Sequence, residues 1–170
     1  MFIPTKLNDI HQRVKLYIDI FYVNSLVFLA TISDNIHYVA IDNIKNKKAP
    51  TLIKYIKNVI KKYTSRGFTI MDIFGDREFD VNDIISGVLP STLHTCLADK
   101  HIHRIKKTIR TIKERDRTVC HLLPYKSFPK LLSTSLMKNV ARRLNQFPNP
   151  NKILDRYIPA NVMDGFPNPD

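Results

Sequence analysis

The sequence predicts an α/β fold: a five-stranded mixed sheet, made of a three-stranded antiparallel meander plus two parallel strands, flanked by helices. Three observations predict it. Short β-rich apolar runs come first and are separated by turn residues. Helical apolar spacing then takes over between Leu52 and Tyr63. After that, strand and helix patterns alternate across short connections.

The elements follow in order. Residues 14–23 and 26–32 read as two strands joined by a tight turn at Asn24-Ser25. A second turn at Ser33-Asp34-Asn35 leads into IHYVAI, the third strand. NIKNKKAP is a basic loop, and Pro50 suits the first turn of a helix. Leu52, Ile56, Val59, Ile60 and Tyr63 recur at helical spacing, with Lys54, Lys57, Lys61 and Lys62 outside that stripe, and Gly67 ends the helix. FTIMDIF is a fourth strand and GDREFD its exit. Residues 81–88 suit a short helix and STLHTCLA a fifth strand. A basic helix follows over roughly residues 100–118, with Ile102, Ile105, Ile109 and Ile112 as its buried face. Pro124 closes it, and Pro129 opens a last helix carrying Leu131, Leu132, Leu136, Val140, Ala141 and Leu144. From Phe147 the chain turns Pro/Asn-rich and reads as an extended tail. The expected organisation is a lead-in at 1–13, a core at 14–146 and a C-terminal extension at 147–170.

Composition narrows the function classes. The 170 residues are 44% hydrophobic and 25% charged, ordinary for a globular domain. The charge balance is not ordinary: 27 Lys+Arg against 15 Asp+Glu leaves +12, which suits a polyanionic partner. No apolar run is long enough for a spanning helix, so no membrane role is expected, and the N-terminus lacks the apolar stretch of a secretory signal. Cys96 and Cys120 suit a reducing compartment better than a disulfide scaffold. An intracellular location is expected, nuclear if the source is eukaryotic.

Two aspartates stand out. Asp19 interrupts the apolar run VKLYIDIFYV, where an unpaired buried carboxylate is costly. Asp76 ends FTIMDIFGD. Strand, strand and basic helix is the layout of a two-metal phosphoryl-transfer site, in which carboxylates from separate elements clamp two cations. The segments IDIFYVNSLVFLATIS, GDREF and ADKHIHRIKKTIRTIKER with LPYKSFPKL, then LNQFPNPNKILDRYIPANVMDGFPNPD, resemble the integrase core and following segment of copia-type retrotransposon polyproteins. The resemblance covers nearly the whole chain from about residue 14. It implies a ribonuclease H-like fold, DDE chemistry with Mg²⁺ or Mn²⁺, DNA as partner, and possible homo-oligomers. By position, Asp19 matches the family's first acid and Asp76 its second. Lys106 occupies the position of the third acid, and His103 replaces a glycine at the start of that helix.

The lysine changes the chemistry. Mg²⁺ demands hard oxygen ligands, and an ammonium only donates hydrogen bonds. Two-metal catalysis is therefore expected to be lost, with Asp19 and Asp76 at most holding one ion weakly. Glu114 lies eight residues further along the helix, about 12 Å up its axis, too far to substitute. Asp99, at the end of the fifth strand, is the better candidate for a displaced third ligand, and Glu78 reads as a local structural residue. Lys106, Arg110, Lys113 and Arg117 share one helix flank, which suits non-specific phosphate contacts. His94, Cys96, His101, His103, Cys120 and His121 lack the pair spacing of a zinc site. The expected function is thus a degenerate, DNA-binding integrase-like core. The alternatives are an active metal-dependent nuclease or strand transferase using Asp99, and a host-adopted nucleic-acid-binding or protein-interaction module.

Overall fold

The computed structural model describes residues 12–95, 102–125, 127–148 and 158–164. The strands are β1 (Arg13–Val23), β2 (Leu26–Ser33), β3 (Val39–Ile44), β4 (Thr69–Gly75) and β5 (Thr92–Thr95). The helices are α1 (Ala49–Thr64), α2 (Asn82–Gly87), α3 (Ile102–Leu122), α4 (Lys130–Leu144) and α5 (Pro159–Asp164), with a 3-10 turn at Arg77–Phe79 after β4. They build one five-stranded sheet in the order β3-β2-β1-β4-β5. The pairs β1–β2 and β2–β3 are antiparallel, and β1–β4 and β4–β5 are parallel. This is the mixed sheet that the sequence predicts, with β1 at its centre.

The two faces of the sheet follow from the period of two along each strand. Leu16 and Ile18 of β1 join Leu52, Ile56, Tyr63, Phe68, Ile73 and Phe79 in a core beneath α1. Tyr17 and Phe21 join Phe28, Ile105, Ile109, Ile112, Met137 and Val140 in a second core beneath α3 and α4. The first hairpin turns where expected: Asn24 and Ser25 both have positive φ, 48° and 61°, the signature of a tight primed turn whose twist suits the strands it joins. Gly67, at φ 83°, ends the α1 region in a conformation that glycine adopts without strain.

Three expectations shift. The third strand begins at Val39 rather than Ile36, because His37 adopts φ 58° and breaks the extended run. Ile36 and Tyr38 are still buried, so their apolar character goes into the core rather than into the ladder. In α4 the buried stripe is Ser133, Met137, Val140 and Ala141, while Leu131 is 80% exposed. Spacings of four, three and one residues fix that face, and Leu131 lies about 200° of helical rotation from Ser133. Lastly, the segment expected to be an extended tail contains α5. It buries Pro159, Val162 and Met163, the last two in the α1-side core, and Arg66 donates to the Met163 and Asp164 carbonyls at 2.9 Å. Proline at the first helical position and only one turn or so of helix leave too little periodicity to be read from sequence.

Candidate active site

Strand register brings the two aspartates together. Leu16 pairs with Ile73 and Tyr17 with Phe74 across the parallel β1–β4 ladder. Asp76 follows directly on the end of β4, near enough for its carboxylate to act on Asp19. Asp19 shares the odd-numbered face of β1 with Tyr17 and Phe21, the face covered by α3. Gly75 permits the close fit just before Asp76. A Cβ there would meet Phe79 Cδ2 at 2.8 Å and Ile18 Cγ1 at 3.0 Å, so a larger residue would push the 3-10 turn away from β1. Asp76 caps that turn, its Oδ1 accepting from the Arg77 amide at 2.7 Å.

Asp19 carries the electrostatics of the site. Burial pushes its carboxyl above the ordinary range, partly offset by the Ile20 amide, which donates to its Oδ1 at 2.8 Å. The Lys106 ammonium also pulls it down, whereas the Asp76 and Glu78 carboxylates push it up. The strand, the turn after β4 and the helix α3 thus act on one group. Arg104, in the first turns of α3, helps to fix this geometry. It is hydrogen-bonded to Asp34 in the β2–β3 turn, and its guanidinium lies 5.6 Å from the centre of the Tyr17 ring.

Further along α3, Lys106, Arg110, Lys113 and Arg117 line one groove with Ile109 and Glu114, so the flank expected from the helical wheel is present. Lys113 sits 5.5 Å over the Phe21 ring. Arg110 is paired with Glu114 at 2.9 Å, on an exposed part of the helix.

These residues do not fit a two-metal centre. Among the described residues, no three His, Cys, Asp or Glu side chains converge as a cation's donors would. Asp19 and Asp76 each already accept a backbone hydrogen bond, and Glu78 binds Lys47 through both oxygens at 3.1 Å. The positive charge of Lys106 also acts on Asp19. Asp99, the candidate displaced ligand, lies outside the described residues, as do Cys96 and His101. The other members of the His/Cys set are dispersed: His94 bonds Asp72 at 2.8 Å and stacks on Phe74, and the Cys120 thiol faces Asp116 at 3.9 Å. The partners Lys47, Arg104 and Asp116 were not legible in the sequence, because each is matched to its neighbour by tertiary packing or by an unmarked helical spacing.

No protein-family model matches the chain, and no curated protein matches it significantly. Among solved structures it is similar to the catalytic core domain of BIV integrase, with a TM-score of 0.64 and 14% sequence identity, over 88% of this chain and 92% of that one. At that identity the likeness establishes the fold. The chain has the fold of that core, the ribonuclease H-like arrangement of a five-stranded mixed sheet flanked by helices.

Proposed function

We propose that this domain is a DNA-binding, integrase-like core of retrotransposon type that has lost strand-transfer catalysis. The observation that carries the reading is the place of Lys106 on α3, the helix packed over the Asp19 face of the sheet, from which its positive charge acts on Asp19. Phosphoryl transfer leaves a protein chiefly positioning and charge stabilisation to supply, and two carboxylates beside an ammonium cannot hold a metal pair. DNA binding is supported by the +12 charge and by the groove formed by Lys106, Arg110, Lys113 and Arg117. Such contacts neutralise phosphates and release counterions, so affinity falls steeply as salt rises and varies little with sequence.

The test is strand transfer on a short duplex with Mg²⁺ or Mn²⁺, the unmodified chain beside Lys106→Glu. The unmodified chain is expected to be inactive. Lys106→Glu is expected to bind Mn²⁺ more tightly in calorimetry and to recover partial activity, since it reverses a charge and adds two oxygens beside Asp19. Robust activity of the unmodified chain would overturn the reading. So would DNA affinity that stays flat between low and moderate salt.

A further inference from the structure

A row of stacked rings crosses the sheet beside Asp19. Tyr17 of β1 stacks on Phe74 of β4, with ring centres 5.4 Å apart and planes inclined by 27°. Phe74 stacks in turn on His94 of β5, at 4.9 Å and 19°. Tyr17 and Phe74 are register partners, as are Phe74 and His94, so the row runs straight across three strands. One end is closed: Tyr17 is 3% exposed, and the Arg104 guanidinium lies 5.6 Å from its ring centre. The other end reaches the outer strand of the sheet, where the His94 side chain is 41% exposed.

His94 is held in place as well as exposed. Its Nε2 is hydrogen-bonded to Asp72 Oδ1 at 2.8 Å, and one face of its ring lies against Phe74. The surface that it still shows is therefore its outer face and free edge, fixed nearly parallel to the rings behind it. The helix α3 packs chiefly on β1 and β2, whereas β5 lies two strands beyond β1. An oriented aromatic face, open on one side, suits a flat π-system and loses little freedom when one stacks on it. Charge decides which flat group. The chain is +12, and the cationic flank of α3 includes Lys106, which acts on Asp19. Tyr17 is two residues from Asp19 along β1, a step of about 7 Å. A nucleobase, carried in by its phosphates, answers both the ring and the charge. An aromatic side chain of a protein answers only the ring.

We infer that the outer face of His94 is a stacking platform for an unpaired base at a DNA end, the base extending the Tyr17–Phe74–His94 row by one ring. The inference rests on the DNA-binding reading above and adds to it a place where an overhanging strand ends. From β1 to β5 is roughly 10 Å across the sheet, which about three nucleotides span at 3.4 Å of rise each. Stacking tolerates any sequence, since every base has a π-face, so the platform takes all four bases, purines better than pyrimidines for their larger rings.

The experiment compares a blunt short duplex with one whose single-stranded overhang carries 2-aminopurine, a fluorescent adenine analogue that stacking quenches. The overhang duplex is expected to bind the folded chain about tenfold tighter than the blunt one, with its fluorescence quenched and the His94 ring protons shifted upfield in NMR. His94→Ala is expected to lose the preference and the quenching while blunt-duplex binding is retained. His94→Phe keeps a ring without the bond to Asp72 and is expected to retain most of both; a His94–Asp72 pair with only a structural role would not be rescued by phenylalanine. Quenching that survives His94→Ala overturns the inference, as does its loss in His94→Phe. If the variants do not fold, the unmodified chain decides: His94 ring protons that do not move when the overhang binds overturn the inference. Failure of every duplex to bind defeats the DNA-binding reading and this inference with it, whereas an overhang that binds unquenched defeats the inference alone.

Discussion

Beneath α1, Leu16 and Ile18 of β1 pack in an apolar core with Leu52, Ile56, Phe68 and Phe79. Beneath α3, the odd-numbered residues alternate differently, Tyr17 and Phe21 flanking the half-buried Asp19. One strand therefore builds a closed core on one face and, on the other, a core interrupted by a carboxylate, with cations on the covering helix. The difference teaches that the α1 face only packs, whereas the α3 face combines packing with the charges on which the proposed function rests. Asp19 raises the cost of the second core, and a carboxylate set among apolar residues is a feature that stability alone would remove.

The largest expected effect breaks the comparison from the structural side. Ile56 is fully buried in the α1-side core, and Ile56→Ala should cost about 2–5 kcal/mol in chemical denaturation, through lost transfer energy and the cavity left behind. DNA affinity per folded molecule should not change. If it fell in step with stability, the division between the two faces would be wrong.

Next comes a charge test between the faces. Arg110→Glu with Lys113→Glu should weaken DNA binding at least about tenfold and lower the salt slope by about two, one for each phosphate contact removed. The control on the opposite face is Lys57→Glu with Lys61→Glu. Lys62 is unsuitable for it, since it bonds Tyr38 and pairs with Asp164 of α5 at 2.7 Å, so reversing it would loosen α5. A greater loss from the α1 pair would place the main DNA surface on the structural face.

Asp19→Asn sharpens the same contrast through pH. The folded-state value of Asp19 is raised, chiefly by burial, so the native chain holds its proton to higher pH than the unfolded chain does. Stability therefore falls as pH rises from the ordinary value of 3.8 through the raised one, and the penalty persists above it. Asp19→Asn should raise the melting temperature at pH 7 and change it little below 3.8, where the carboxyl is protonated in both states. A variant less stable at pH 7 would mean that the Lys106 attraction outweighs burial.

Much of this was legible in the sequence, and the limits have physical causes. Period-two runs and turn residues identify the sheet, and the positive-φ pair Asn24-Ser25 is a local signal of the first hairpin. The isoleucine stripe of α3 is equally local: Ile105, Ile109 and Ile112 are all buried. Asp19 was conspicuous as a charge inside an apolar strand, and Lys106 as a basic residue where the family resemblance expects an acid. Leu131 misled because apolar character was weighed ahead of angular position, and small Ser133 completes the buried stripe of α4.

The smallest expected effect concerns Glu114, the one carboxylate in the groove of cations. It pairs with Arg110 four residues earlier, with side chains 56% and 81% exposed, so the pair contributes at most about 0.5 kcal/mol to stability. Its consequence for binding is the reverse of its consequence for folding. An Arg110 guanidinium engaged by Glu114 is partly neutralised toward phosphate, and removing the carboxylate charge frees it. Glu114→Gln should therefore leave the melting temperature nearly unchanged, while raising DNA affinity slightly and steepening the salt slope by up to about one. The same substitution in the Arg110→Glu, Lys113→Glu background should lose that gain, because no guanidinium remains to be released. A gain of equal size in both backgrounds would mean that Glu114 acts by general repulsion of DNA and not through Arg110.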